Sequence, residues 1–520
     1  MDAIVRTRQG VVQGNMGQGV AAFKGIPYAA APFGRHRFQP PQAAEPWEGV
    51  RQALSYGPTV PKAPLVAPFD ALIPETDLPG QECLNLNIWS RDPRQGRLPV
   101  MVWIHGGAFS NGSGSNPLYD GTRFARDGVV CVTFNYRLGA EGFLFLGDGV
   151  ANLGLLDQIA ALQWVRENIA AFGGDPENVT LFGQSAGAMS IATLLAMPRA
   201  RGLFRRAIAQ SGAAHHVNSS ATARRVGQYL AQQLGVEPTL KAMTAVPIDR
   251  LVHAQREWSI GAVARRYSEV VASRETRQAL GKVGPDAAGS PERLRWDEVA
   301  ADVMPFEPVV DGQILPRRPI ESVAAGAGGE VDVLVGTNAD EYRLFLIPTG
   351  LINFINEDFL GAAIAACGLP VPETLTAYRA TRPAASPGEL LEAVLTDWIY
   401  RLPAVRLAEA HTPRSGRTYM YEFAWKSPQF AGQLGACHMA ELPFVFDNLD
   451  KQCLEGLVGP HPPQPVAEAM HAAWIAFATR GDPGWPPFEL SRRATMCFDT
   501  TPKVVEDPRS SERVLWARLR

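Results

Sequence analysis

Short unbroken apolar runs alternate, along the first half of the chain, with segments whose apolar residues recur every three or four positions. Val100-Met101-Val102-Trp103-Ile104, Val129-Val130-Cys131-Val132-Thr133-Phe134 and Val179-Thr180-Leu181-Phe182 are three such runs. Each is short, rich in β-branched residues and bounded by turn-forming residues, which predicts strands buried on both faces. Between the second and third, Leu155, Ile159, Leu162, Val165 and Ile169 fall at helical spacing. A helix is therefore predicted from Leu155 to Phe172, stopped by Gly173-Gly174-Asp175-Pro176. Ala207-Ile208-Ala209 and Val331-Asp332-Val333-Leu334-Val335 are later strand candidates. Buried strands separated by helices predict a mostly parallel sheet of the α/β class.

Two stretches break the rhythm. Tyr56 to Gly80 is rich in Pro and reads as a long surface loop, and Ser268 to Val299 is charged and reads as an exposed insertion. Strands resume beyond both, so neither is a linker, and the expectation is one elaborated domain over 1–520. Composition supports a chain with many turns. Of 520 residues, 49 are Gly and 42 are Pro, against 46% hydrophobic and 19% charged. The formal net charge of −3 argues against nucleic acid as the main partner, since phosphate neutralisation needs a basic surface. The start, Met1-Asp2-Ala3-Ile4-Val5-Arg6, has no basic region followed by an apolar core, and no run is long enough to span a bilayer. Six cysteines without CxxC spacing suggest buried thiols rather than a disulfide framework or a metal site. These features together predict a cytoplasmic protein without a membrane anchor.

The chemistry-bearing motifs sit at strand ends. Gly183-Gln184-Ser185-Ala186-Gly187 follows the third apolar run and leads into small residues. In that context G-x-S-x-G predicts a strand-to-helix elbow with Ser185 as nucleophile, the flanking glycines relieving crowding at the turn. His105-Gly106-Gly107-Ala108-Phe109 follows the first run, about 80 residues earlier. Backbone N–H groups there, with that of Ala186, could donate to a tetrahedral oxyanion. In such folds the order is serine, acid, histidine. His411 ends a predicted helix, His461 lies in a Pro-rich loop and His471 sits within a helix as a packing residue. His438 follows Gly435-Ala436-Cys437, just before the apolar run Leu442 to Phe446, and is the best base. The acid should follow the Val331 strand, where Asp340 and Glu341 are both able to orient an imidazole.

These residues, taken together, resemble the type B carboxylesterases, which include bacterial p-nitrobenzyl esterases, animal carboxylesterases and cholinesterases. The resemblance runs from Phe23-Lys24-Gly25-Ile26-Pro27-Tyr28-Ala29 and Arg37-Phe38 through Glu82-Cys83-Leu84-Asn85-Leu86-Asn87-Ile88, Asn135-Tyr136-Arg137-Leu138-Gly139 and Phe172-Gly173-Gly174-Asp175-Pro176 to Gly435-Ala436-Cys437-His438 and Gly481-Asp482-Pro483. It is strongest toward actinobacterial members of the bacterial branch. It implies the α/β-hydrolase fold, with helical and loop insertions near the active site. It further implies Ser185 as nucleophile, Glu341 rather than Asp340 as acid, His438 as base, and Gly107, Ala108 and Ala186 as oxyanion donors. Ser211 matches a serine that supports the acid. Arg37 with Glu82, and Arg137 with Asp175, match structural ion pairs. Phe109, Met304, Leu344 and Phe345 fall where the family lines its pocket.

Two departures stand out. Position 184 is Gln where the family more often has Glu, and no cysteine lies near Pro58 to Pro61 to pair with Cys83. The Gly106-Gly107-Ala108-Phe109 element resembles the type that accompanies tolerance of bulky alcohol groups. Residues 54–88 contain no Trp, which makes choline esters improbable. The implied activity is hydrolysis of short to medium acyl, aryl and bulky-alcohol esters, with no metal or organic cofactor. Small-molecule esters are the implied partners, and a monomer or small homo-oligomer the implied state. The same residues would serve an amidase or a carbamate or xenobiotic hydrolase. A non-catalytic adhesion-type member is the remote alternative, and it is disfavoured by the presence of Ser185, Glu341 and His438.

Overall fold

The apolar runs form the centre of one sheet in the computed structural model, which describes residues 2–94, 96–257 and 304–517. The expected insertion at 268–299 lies outside the described residues. Seven neighbouring strands run parallel, in the order Val130–Phe134, Leu98–Ile104, Gly174–Gln184, Arg206–Gln210, Asp332–Asn338, Thr418–Phe423 and Ala494–Phe498. Antiparallel strands extend both edges: Asn85–Ser90 and the N-terminal strands on one side, Lys503–Glu506 on the other. The predicted helix forms as Leu153–Asn168, tightens into a 3-10 turn over Ile169–Phe172, and ends at Gly173 with φ of +86°. The expected stop differs in one respect. Gly174 already belongs to the eleven-residue strand Gly174–Gln184, of which the Val179 run is only the inner part.

The order in which strands are added to the sheet reverses beside the Leu98–Ile104 strand. The chain moves to Val130–Phe134 on one side, then crosses back to Gly174–Gln184 on the other. Such a switch point opens a crevice at the carboxyl ends of the strands. Trp103 anchors the core beneath it, with ring centroids 4.8 Å from Phe182, 4.8 Å from Tyr119 and 5.1 Å from Phe446. The helix Ala186–Ala196 is buried on every side, which explains its small, apolar sequence.

Both expected ion pairs are re-partnered. Arg137 pairs with Asp157 at 2.7 Å, both fully buried, and Asp175 faces Arg97 at 3.7 Å. The reason is topological. Arg137 leaves the carboxyl end of its strand, whereas Asp175 sits at the amino end of the parallel strand two places away, so the two lie at opposite ends of the sheet. Arg37 pairs with Glu141 at 2.7 Å and also donates to the Thr244 and Val246 carbonyls, while exposed Glu82 meets Arg51. A buried carboxylate such as Glu141 needs a cation more than an exposed one does.

The Pro-rich stretch Tyr56–Gly80 is a loop, as predicted, with one 3-10 turn at Phe69–Ala71. It is more than surface, however. It is pinned inward by Asn111, whose side chain donates to the Ala63 carbonyl at 2.7 Å, and by Thr76, whose hydroxyl donates to the Ser115 carbonyl at 3.2 Å. Among the described residues no single helix is long and apolar enough to cross a membrane.

Candidate active site

Backbone strain marks the elbow. Ser185 has φ 55° and ψ −125°, outside the regions open to ordinary L-residues. Its N–H donates to the Gln210 carbonyl at 2.9 Å. A Cβ on Gly187 would lie 1.9 Å from the Ile104 carbonyl oxygen, and one on Gly183 2.6 Å from it. Only glycines let the strand, turn and helix approach this closely, which is what G-x-S-x-G implied.

The turn after Leu98–Ile104 is built in the same way. Gly107 has φ +117°, and a Cβ there would meet the Asn111 carbonyl at 2.2 Å. The Gly107 carbonyl accepts the N–H groups of Ser110 and Asn111. Ala108 and Phe109 follow with φ of 53° and 57°. Gly107 and Ala108 line the cavity beside Ser185, and Ala186 begins the buried helix. His105 props this turn. Its ring stacks on Tyr136 at 4.5 Å, and the Tyr136 hydroxyl donates to its carbonyl at 2.9 Å. Burial pushes the His105 imidazole down to about 4, so it stays neutral.

His438 and Glu341 form a close pair. Nδ1 of the imidazole lies 2.6 Å from Glu341 Oε2, and the carboxylate's other oxygen accepts the Asn338 N–H at 2.8 Å. Glu341 is fully buried. Asp340 points elsewhere, accepting the Ala436 N–H and facing Arg343, so geometry separates the two acids that motif reading left open. The imidazole is held between Tyr400 and Phe345, at 4.6 and 5.7 Å between centroids. Its Nε2 lies 3.0 Å from Gln184 Nε2. With Nδ1–H donated to a carboxylate, a neutral ring presents a lone pair at Nε2. The Gln184 amide nitrogen therefore donates to it.

The remaining expected residues divide. Met304, Leu344 and Phe345 line the cavity of about 330 Å³ that Ser185 and His438 also line. Phe109 does not. Its ring packs at 5.0 Å against Phe143 in the core, and its carbonyl accepts the Gly139 N–H. The successive left-handed residues Ala108 and Phe109 turn that side chain inward. Ser211 is fully buried with φ 53°, and its N–H donates to the Gly336 carbonyl. Its hydroxyl makes no hydrogen bond among the described residues, to Glu341 or any other group. His471 is a packing residue as expected, bonded through Nδ1 to the Val445 carbonyl at 2.7 Å.

Several neighbours escaped sequence reasoning. Asn338 ties the acid to a second buried carboxylate, its amide donating to Glu441 Oε2 and to the Cys437 carbonyl, both at 2.7 Å. Gln210 donates to the other Glu441 oxygen at 3.2 Å. Burial and the adjacent Glu341 push Glu441 up to about 7. A charged residue opening the apolar run at Leu442 was the only available signal. The 56–80 loop supplies a further wall of the cavity through Leu65, Phe69, Ile73 and Glu75. No cluster suited to a metal ion occurs among the described residues.

A parallel sheet with this switch point, a glycine-flanked serine elbow and a buried Glu–His pair defines the α/β-hydrolase class. Within it, the chain belongs to the carboxylesterase family, whose model matches residues 1–516, and is a carboxylic ester hydrolase. It is 38% identical over 532 residues to the para-nitrobenzyl esterase of Bacillus subtilis (strain 168), covering 98% of this chain and 97% of that one. A phenmedipham hydrolase of Pseudarthrobacter oxydans is 34% identical, covering 95% and 94%. Among solved structures, a carboxylesterase of Geobacillus stearothermophilus superposes with a TM-score of 0.81 at 36% identity, covering 99% of each chain.

Proposed function

We propose that Ser185, His438 and Glu341 carry out ester hydrolysis by two acyl transfers, with residues 1–520 working as one catalytic unit. The observation that carries this reading is the convergence of the strained Ser185 and the Glu341-bound imidazole of His438 in one cavity. Ser185 Oγ attacks the ester carbonyl as its proton passes to His438 Nε2. The tetrahedral oxyanion is held by the N–H groups of Gly107, Ala108 and Ala186. Its collapse breaks the bond to the alcohol, which leaves with the proton from His438. Water then attacks the acyl-enzyme, giving its proton to His438, and the acid departs as Ser185 regains its own. Glu341 keeps the proton on Nδ1 and stabilises the imidazolium. Phe69, Ile73, Met304 and Phe345 in the cavity wall favour apolar acyl and aryl groups of short to medium length.

An organophosphate should label one serine, located at Ser185 by peptide mass spectrometry. Ser185→Ala should lose labelling and at least a thousandfold of p-nitrophenyl butyrate turnover while keeping its circular dichroism. Label on another residue, or turnover retained by the variant, overturns the assignment.

A further inference from the structure

The catalytic cavity is apolar over most of its wall, yet one side gathers polar side chains that the acyl-transfer steps leave unused. That side is built from two short parallel strands, Asn218–Ser219 and Val309–Val310. Asn218 donates its N–H to the Pro308 carbonyl at 2.8 Å and its side chain to the Pro305 carbonyl at 3.2 Å. Asn152 clamps Val309 through both its N–H and its carbonyl. The residues just before each strand are therefore set side by side: His215 and His216 on one, Glu307 on the other. All three line the cavity that holds Ser185 and His438.

Each of the three presents a buried polar atom without a partner among the described residues. Glu307 is 1% exposed, and its Oε1 has no hydrogen-bond partner there; the same is true of Nδ1 on His215 and on His216. A buried polar atom without a partner is costly in a folded chain, and three on one wall of a ligand cavity are more than packing explains. Their chemistry can be read further. His216 faces the backbone carbonyls of Ala213 and Ile399, which can only accept. Among the described residues Nδ1 of the neutral ring has no partner, and it can accept or donate a hydrogen bond according to the tautomer. Burial without a compensating cation holds the Glu307 carboxyl well above the usual range, so it is an acid group that can both donate and accept. Arg406, also in the wall, spends a guanidinium N–H on the Trp516 carbonyl at 3.0 Å.

We infer that Glu307 and His216, with His215 beside them, form a polar subsite of the catalytic cavity. It binds an uncharged group that both donates and accepts hydrogen bonds, a secondary amide or carbamate N–H/C=O carried by the ester away from the bond that is cleaved. The inference rests on Ser185 chemistry occurring in this cavity. Its ligand class follows from the pairing of an unpartnered ring nitrogen, His216 Nδ1, with a carboxyl able to donate and to accept. An alkyl group of equal size would leave both unpaired, and sites that hydrogen-bond a substrate discriminate strongly against analogues that cannot reciprocate.

Two matched pairs of esters test this. One pair places the amide in the acyl part: p-nitrophenyl N-acetyl-β-alaninate against p-nitrophenyl hexanoate. The other places it in the alcohol: 4-acetamidophenyl butyrate against 4-propylphenyl butyrate. The quantity read is the amide-to-alkyl ratio of kcat/KM within each pair, which cancels any difference in folded fraction between variants. In at least one pair the ratio should fall tenfold or more in Glu307→Leu and in His216→Phe, and stay within threefold of wild type in Glu307→Gln. A ratio unchanged in both pairs by Glu307→Leu and His216→Phe overturns the subsite. Equal loss in Glu307→Gln and Glu307→Leu overturns the hydrogen-bonding role. Absence of all hydrolysis in the wild-type protein would instead sink the esterase reading beneath it.

Discussion

Gln184 is the residue whose contact was least expected from its place in the motif. Its amide donates to His438 Nε2 at 3.0 Å, the atom that must accept the Ser185 proton, so attack requires His438 to exchange one partner for the other. An amide can adapt, donating to the neutral imidazole and turning its oxygen to the protonated one. A carboxylate cannot donate, and it favours the charged ring. Glu341, Glu441, Glu75 and Tyr400 are among the titratable groups around this cavity, with Tyr119, Tyr342, Glu307, His215, His216 and Arg406 farther along its lining. Gln184→Glu should therefore move the acidic limb of the kcat/KM profile to higher pH, lowering activity on that limb and leaving the plateau above it little changed. Gln184→Met should leave the limb where it is. A Gln184→Glu profile that superimposes on that of wild type would show that the contact carries no electrostatic weight. Behind the pair, Asn338→Ala removes donors to Glu441 and Cys437 but not the backbone N–H to Glu341. It should lower kcat about tenfold with little change in KM, since it disturbs the imidazole's support and not the cavity wall.

At the level of elements, the elbow works only if helix and strand touch. A methyl group on Gly187 would lie 1.9 Å from the Ile104 carbonyl, a backbone atom with no room to give. Gly187→Ala should separate the Ala186–Ala196 helix from the Leu98–Ile104 strand, widening the gap between Ser185 and the Gly107 turn. The expected cost is about 1–3 kcal/mol of stability and at least a hundredfold of turnover. Gly17→Ala, with open space around its Cβ position, is the control and should change neither. A fully active Gly187→Ala enzyme would mean that the elbow tolerates displacement. This element was legible because its signal is local: an apolar run, then glycines fixed by sterics. The same holds for the Leu153–Asn168 helix and for the turn that carries Gly107 and Ala108. What proved illegible depends on which ends of the sheet face one another. Arg137 and Asp175 both sit in recognisable motifs, but parallel strands place them at opposite ends. Phe109 could serve pocket or core by hydrophobicity alone, and two left-handed residues decide for the core. The 56–80 loop reads as surface from its prolines, and only its tethers to Asn111 and Ser115 reveal it as a cavity wall.

The whole molecule buries ionisable groups of both kinds around the site, and they pull stability in opposite directions with pH. Burial lowers His105 and His216 to about 4 and His215 to about 3, against 6.5 for a free imidazole. Between about pH 4 and 6.5 the unfolded chain binds protons at these rings that the native one refuses. Their contribution is therefore complete above 6.5 and is lost as pH falls toward 4, on the order of 3 kcal/mol for His105 at the bottom of that window. Glu441 and Glu392 are both pushed up to about 7, chiefly by burial. There the native chain holds protons that the unfolded one has released, so stability is complete below about 4.5 and declines as pH climbs through 7. The two sets overlap between about 4.5 and 6.5 and offset each other in part there. His105→Asn removes one acid-side charge cost, and Glu441→Gln removes one alkaline-side cost. Thermal midpoints recorded from pH 4 to 8 should show the acid decline shallower in His105→Asn and the alkaline decline shallower in Glu441→Gln, each variant keeping the wild-type slope on the other side. Because His105 props the turn that carries Gly107 and Ala108, its protonation should also cost activity before the fold is lost. Between about pH 4 and 5, where circular dichroism shows both proteins folded, His105→Asn should keep a larger fraction of its pH 8 esterase activity than wild type, beyond the loss that proton uptake at the catalytic base causes in both. Equal retained fractions in the two proteins would separate the acid sensitivity of the fold from the active site.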